Sequence, residues 1–204
     1  WWDEASIPSM EPKGKPPVNA TVPYGKSTGH NLLGDKLSLP GTTEKRFQSQ
    51  LSVDSPQYLQ DHQVLDQIVL PGAAYVEMAI AAALQWNNTQ TATLSQLSIE
   101  KPLVFSNATA TVQTVITPEA STQGTLQIFS AQDDDSDFAR HAVTAVVNSS
   151  TQPTEISLPN LQVALLPYPV NARDYYQTLR EQGLNYGPGF QTIQQLWQKD
   201  GKAL

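Results

Sequence analysis

The segment running from Pro71-Gly72 to Trp86 constrains this chain more than any other. Ala73, Ala74, Val76, Met78, Ala79, Ile80, Ala81, Ala82, Ala83 and Leu84 make it apolar on nearly every side, with Glu77 as its one charge. Its alanines, with Met78 and Leu84, favour a helix over residues 72–86. A helix that is apolar all round must be enclosed by protein. The run falls short of the roughly 18 apolar residues that a membrane span needs. Its small alanines let a sheet approach closely, so the expected environment is a sheet wrapped around the helix.

Strand-like segments stand on both sides of that helix. From Lys45 onward, Phe47, Ser49, Leu51 and Val53 alternate with Arg46, Gln48, Gln50 and Ser52, the period of a half-buried strand. After the Asn87-Asn88 break come four segments rich in Val, Ile, Thr and Phe, at residues 94–103, 111–116, 125–129 and 142–147. Pro118 and Gly124 bracket one turn, and Asp133-Asp134-Asp135 marks another. A single buried helix followed by antiparallel strands predicts an α+β fold in which the sheet wraps the helix, the hot-dog arrangement.

The flanks read differently. Residues 1–28 carry Pro8, Pro12, Pro16, Pro17 and Pro23 and are expected to be a linker, with ordered sequence beginning near His30. Residues 152–170 are again proline-spaced and read as a connector. Residues 171–181, with Asp174 near the start and Gly183 just beyond, predict a short helix closed by glycine. A strand-like stretch then runs through Trp197, and a second unit is begun but unfinished at Leu204. The opening Trp1-Trp2-Asp3-Glu4 has no signal-peptide character and reads as a cut inside a longer polypeptide.

Composition excludes several functions. The chain has no cysteine, which rules out disulfides and thiolate metal sites. A net charge of −7 with no lysine or arginine cluster argues against a nucleic-acid partner. Asp133, Asp135 and Asp137 have calcium-loop spacing, but Phe138 and Thr144 stand where glycine and glutamate are required, so a hairpin tip is expected there. His141 in a strand and His30 in a loop have no third ligand nearby, and no metal site is expected. The sequons at Asn19, Asn87, Asn107 and Asn148 carry no weight without a secretory signal. Neither a G-x-S-x-G elbow nor a phosphate-cradling glycine motif is present.

Two stretches carry a resemblance. Tyr58-Leu59-Gln60-Asp61-His62, continuing through Val64 to Leu70-Pro71-Gly72-Ala73-Ala74-Tyr75-Val76-Glu77, resembles the HxxxGxxxxP signature of polyketide synthase dehydratases, including the Pro-Gly that opens their central helix. Residues 183–190, Gly-Leu-Asn-Tyr-Gly-Pro-Gly-Phe, resemble that family's GYxYGPxF motif. Their order and separation also fit, and Trp1-Trp2 resembles the end of the linker that follows an acyltransferase domain. The resemblance implies an N-terminal hot-dog over residues 29–151 and the start of a second over 171–204, two parts of a double hot-dog. It further implies a dimeric cytoplasmic megasynthase with neighbouring synthase domains. The substrate is expected to be a β-hydroxyacyl group on the phosphopantetheine of an acyl carrier protein. No cofactor of the domain's own and no membrane or nucleic-acid partner are expected.

The implied reaction removes water to leave an α,β-unsaturated acyl chain. It needs a base for the proton beside the thioester carbonyl, an acid for the hydroxide leaving group, and stabilisation of an enolate-like oxygen. Histidine suits the first task, since its ordinary pKa of about 6.5 leaves it largely neutral at pH 7. By resemblance that base is His62. Pro71-Gly72 opens the helix, and the unpaired N–H of Gly72 at its positive end can face the thioester oxygen; the same dipeptide also reads simply as a helix start. Tyr186 matches the second tyrosine of the other motif, a substrate-binding position, or else lines an apolar pocket. The family's acid is an aspartate in a DxxxQ/H motif of the second half, and nothing between Phe190 and Leu204 matches it.

Two positions depart from the family pattern. Asp66 stands where the motif has glycine, either pointing outward or altering the histidine loop, and Leu184 replaces the first tyrosine, where an apolar contact is expected. Asp66 motivates one alternative, a vestigial domain that binds acyl chains without eliminating water. An isomerase or product-template domain sharing His62 is the other. Half of a double hot-dog also leaves an apolar edge exposed, so the fragment is expected to be unstable without its remainder.

Overall fold

In the computed structural model, residues 25–105, 109–121, 123–132, 137–147 and 169–204 are described. Most of the expected linker and connector, Asp133 and Asp135, and the sequons at Asn19, Asn107 and Asn148 lie outside them.

In chain order the strands are β1 (Gly25–His30), β2 (Gly34–Leu37), β3 (Lys45–Ser52), β4 (His62–Val64), β5 (Gln67–Ile68), β6 (Thr93–Ile99), β7 (Thr109–Pro118), β8 (Gln123–Ala131) and β9 (Ala139–Val147). They are followed by β10 (Pro169–Val170), β11 (Leu184–Tyr186), β12 (Leu196–Lys199) and β13 (Lys202–Ala203). Helix α1 spans Gly72–Asn87 and helix α2 spans Ala172–Glu181.

Seven strands form one antiparallel sheet in the order β1-β2-β3-β7-β8-β9-β6. Its inner face follows from alternation. Phe47 and Leu51 of β3, Ala110, Val112 and Ile116 of β7, Leu126 and Ile128 of β8, and Ala142 and Val146 of β9 are all buried. Against this face lies α1, through Ala74, Tyr75, Met78, Ala79, Ala82 and Ala83. The three alanines Ala79, Ala82 and Ala83 are wholly out of solvent, the close helix-to-sheet approach that small side chains permit. The sequence expectation of a sheet wrapped around one helix is met.

The enclosure is one-sided, however. Gly72, Ala73, Val76 and Glu77 face outward, with Val76 37% exposed. One sheet can bury only the stripe of a helix that faces it, and the opposite stripe stays exposed although His30 reaches Glu77. Ile99 at the β6 edge, 44% exposed, adds to this apolar strip.

Three local expectations are corrected. His30 ends strand β1 and is not in a loop, and β1 takes in Gly25–His30, including residues assigned above to the linker. The cause is a tight reversal in which His30 pairs with Gly34, whose φ of +70° suits glycine. Strand β6 stops at Ile99, short of residue 103, because the N–H groups of Glu100 and Lys101 turn to the carbonyl of His141 and Pro102 has none to offer. No strand follows Phe190 until Leu196.

In the second unit, α2 is capped by Asn171, whose side chain accepts from the N–H of Arg173 at 2.8 Å. Gly183, at φ +85°, closes it through an N–H bond to the Arg180 carbonyl at 2.9 Å. No residue of this helix is buried among the described residues.

His141 is a structural histidine. Its Nδ1–H donates to the Lys101 carbonyl at 2.9 Å and its Nε2 accepts from the Ser130 hydroxyl at 2.8 Å. Burial pushes its pKa below the ordinary value, and the bond to Lys101 offsets this in part. The unfolded chain therefore binds a proton near pH 6.5 that the folded chain refuses, so folding is favoured as pH rises through that window. The stability advantage of wild type over His141→Gln, measured by urea unfolding, is expected to grow towards about pH 6.5 and to stay constant above it.

Candidate active site

The site is built around a short hairpin. A 3₁₀ turn over Gln57–Asp61, anchored by buried Leu59, delivers the chain to His62 at the start of β4. Strands β4 and β5 are joined by Leu65 and Asp66 alone, at φ +48° and +64°. Two left-handed residues make the tight hairpin turn that matches strand twist.

This hairpin fixes the imidazole. The His62 carbonyl accepts from the Val69 N–H at 3.1 Å, and the His62 Nδ1 bonds the Val69 carbonyl at 2.8 Å. A carbonyl only accepts, so Nδ1 carries the hydrogen and neutral His62 presents Nε2 as its lone pair. Val69 is itself held. The neighbouring Leu70 N–H bonds the Leu103 carbonyl at 2.8 Å, and the Leu103 N–H bonds the hydroxyl of buried Tyr75 on α1 at 2.9 Å. The ring orientation is thus tied through backbone to the central helix. Burial raises the Tyr75 pKa, with the Leu103 bond opposing, which keeps its hydroxyl a neutral strut.

The second motif supplies a wall. Strand β11 pairs with β4 so that Tyr186 lies opposite His62. The two rings stack with centroids 5.2 Å apart and planes at 24°. Phe190 approaches the imidazole to 5.0 Å at 55°, and lies 5.8 Å from Tyr186. Tyr58 extends the wall, 6.3 Å from Phe190, and burial together with the charge of Glu77 raises its pKa. His62 and Tyr186, distant in sequence, are brought together by this pairing. Among the described residues neither His62 Nε2 nor the Tyr186 hydroxyl has a hydrogen-bond partner.

Pro71 is buried and Gly72 begins α1 exposed. No hydrogen bond among the described residues ties Gly72 to His62 or Tyr186. A Cβ on Gly72 meets only Ile99 Cδ1, at 3.6 Å, an ordinary contact. Packing therefore does not require glycine here.

Asp66 takes the outward course. Its Oδ1 accepts from the Asn185 Nδ2 at 3.1 Å on the exposed side of the hairpin. Its backbone sits where a glycine fits best, and aspartate is among the residues that tolerate that conformation. Leu184 is half-buried and pairs with Val64. His30 is engaged elsewhere: its Nδ1 accepts from the Leu33 N–H at 3.2 Å and its Nε2 bonds Glu77 at 2.9 Å. No group of three or more potential metal ligands occurs among the described residues.

Two further groups stand at this site without a role that the motifs assign: Phe190, which ends the second motif, and Asp61, which precedes His62. The spacing of Gly187 and Gly189 around Pro188 was the available signal, because two glycines flanking a proline leave room for something else. The geometry as a whole offers an imidazole whose Nδ1 is committed to Val69, shielded on one side by aromatic rings, with Nε2 left free to accept a proton.

Comparisons with known proteins agree with this picture. The family described as "Polyketide synthase dehydratase domain" matches residues 30–131, and "Polyketide synthase dehydratase N-terminal domain" matches residues 158–204. The chain is 28% identical over 197 residues to erythronolide synthase EryA2 of Saccharopolyspora erythraea, covering 93% of this chain and 5% of that protein. It is similar to the dehydratase domain from the CurF module of curacin polyketide synthase, with a TM-score of 0.78, 32% identity, and 85% of this chain and 63% of that one covered. The CurK dehydratase, solved as inactive histidine-to-phenylalanine and aspartate-to-asparagine mutants, gives a TM-score of 0.77 at 34% identity, with 85% of this chain and 63% of that one covered. The chain thus spans a small fraction of its curated relative and under two thirds of these solved dehydratase chains.

Proposed function

Because this chain belongs to the polyketide synthase dehydratase family and carries that family's hot-dog fold, we propose that it eliminates water from a β-hydroxyacyl thioester, with His62 as the base. The observation that carries the proposal is the imidazole locked by Val69 and backed by Tyr186 and Phe190. Nε2 takes the proton on the carbon beside the thioester carbonyl. The electrons of that C–H bond form the double bond as the β-hydroxyl departs. Protonated at the oxygen, this group leaves as water, and its proton comes from an aspartate in the remainder of the domain. That the similar CurK dehydratase is inactive as an aspartate mutant and as a histidine mutant supports a need for one residue of each kind.

The substrate is carried on the phosphopantetheine of an acyl carrier protein, and the domain works beside other synthase domains in a dimeric cytoplasmic assembly. No separate cofactor takes part. The vestigial reading loses its motive, since the Asp66 carboxylate is engaged by Asn185 on the exposed side of the hairpin. The test is an elimination assay on the intact domain, with both hydroxyl stereoisomers and mass spectrometry to detect the loss of water. Formation of the α,β-unsaturated thioester is expected; rearrangement without loss of water would favour an isomerase instead.

Gly72 gives a sharper test. Alanine fits its surroundings and is the better helix former, by about 1 kcal/mol in a helix interior, so Gly72→Ala is expected to leave Tm unchanged or slightly raised. If the Gly72 N–H meets the thioester oxygen, the added methyl crowds the ligand and kcat/KM falls by about tenfold or more. Unchanged kinetics would reduce Gly72 to a helix start.

A further inference from the structure

The carboxylate beside the histidine does not touch the imidazole. Asp61 instead reaches across to the Gly187-Pro188-Gly189 turn of the second motif. The Gly189 N–H donates to its Oδ2 at 2.7 Å, and the Gly187 N–H donates to its main-chain carbonyl at 2.8 Å. Pro188 has no N–H, so both donors that this tripeptide possesses end on Asp61. The two glycines are accounted for by the same contact. A Cβ at Gly187 would lie 2.3 Å from Asp61 Oδ1, and one at Gly189 would lie 2.9 Å from Oδ2. The carboxylate fills the space that side chains would otherwise occupy.

Tyr186 precedes this turn and Phe190 ends it, and these are the two rings that pack on His62 at 5.2 and 5.0 Å. We propose that Asp61 is a positioning residue that clamps the glycine turn and so holds the Tyr186–Phe190 wall against the catalytic imidazole. A bond from a backbone N–H to a carboxylate is charge-assisted and strong for its size. Asp61 and His62 are adjacent in sequence, so any shift of the turn is referred directly to the ring it shields. Val69 sets which nitrogen of the ring is free; Asp61 sets which rings pack against the imidazole. The proposal rests on His62 being the base, but its geometry can be tested without that assumption.

Asp61→Ala and Asp61→Asn are compared in the intact domain. Asparagine keeps an oxygen that can accept from the Gly189 N–H, whereas alanine keeps none. In Asp61→Ala, kcat is expected to fall by about tenfold or more with KM nearly unchanged, as a displaced catalytic geometry does. Asp61→Asn is expected to restore most of the rate. Diethylpyrocarbonate, which acylates neutral imidazole, is expected to modify His62 several-fold faster in Asp61→Ala, with the rates at His62 in Asp61→Asn and at His30 in both variants unchanged. In the wild-type chain, the amides of Gly187 and Gly189 are expected to exchange slowly with deuterium. Unprotected exchange at these amides overturns the clamp whether or not any variant folds. So does Asp61→Ala with wild-type turnover and His62 modification, or Asp61→Asn as impaired as alanine. A wild type that eliminates no water defeats the assignment of function, while amide exchange and imidazole modification still decide the clamp.

Discussion

Replacing His62 by alanine is expected to lower the rate of water loss by about 10³-fold, within the range that a positioned general base contributes. The prediction is specific because the rest of the site stays in place. The hairpin of β4 and β5 keeps its backbone ladder, in which Gln63 faces Ile68 and Val64 faces Gln67, and the Val69 N–H keeps its bond to the residue 62 carbonyl. What is lost is the Nδ1 bond to Val69 and the ring that Tyr186 and Phe190 pack against. A half-buried hydrogen bond contributes about 0.5–1.5 kcal/mol, so the variant is expected to remain folded. Thermal unfolding beside the assay separates a lost base from a lost fold. A rate within tenfold of wild type would assign proton removal to another group.

The largest expected effect on stability lies away from the chemistry, at Gly34. This residue opens β2 at φ +70°, and a Cβ there would lie 2.1 Å from the Gln48 carbonyl oxygen and 2.8 Å from the Ser49 Cα. Both neighbours are backbone of β3 and cannot swing aside as a side chain can. The left-handed conformation alone costs alanine about 1–2 kcal/mol, and overpacking adds about 1–3 kcal/mol. Gly34→Ala is therefore expected to lose roughly 2–5 kcal/mol and to lower Tm by roughly 10 °C. The strand pairs Asp35–Gln48 and Lys36–Phe47 would have to part for the methyl to fit. Phe47 is wholly buried, so the strain passes directly into the core. A Tm unchanged by this substitution would mean that β2 does not approach β3 as closely as described.

What could be read from the sequence follows the range of the interactions concerned. The helix at Gly72–Asn87 follows from the helix propensity of its alanines, and the alternation Phe47, Ser49, Leu51 is a period-2 strand pattern; both are local, and both are found where the residues put them. His62 and Tyr186 were each singled out through motifs that resemble a family, but their pairing was not, because no local rule joins residues so far apart. Errors arose where a neighbouring segment decides. The end of β6 is set by the His141 carbonyl, which draws the N–H groups of Glu100 and Lys101 out of the strand. The strand at His30 exists because β2 lies opposite. The outward stripe of α1 could not be foreseen from an all-round apolar helix, which says that something must cover each face and not which element does so. Asp61 was hidden for a related reason. A carboxylate next to a histidine suggests a partner for the imidazole, and only the fold reveals that its partners are the amides of a glycine turn.

The account turns on whether His62 removes the proton beside the thioester carbonyl. The most direct measurement is the rate of water loss from a β-hydroxyacyl carrier-protein thioester, with hydrogen or deuterium at that carbon, in the intact wild-type domain and in His62→Ala. Wild type is expected to form the unsaturated product and to slow when deuterium is present, while His62→Ala forms almost none from either substrate. Equal rates of water loss in wild type and His62→Ala would contradict the account.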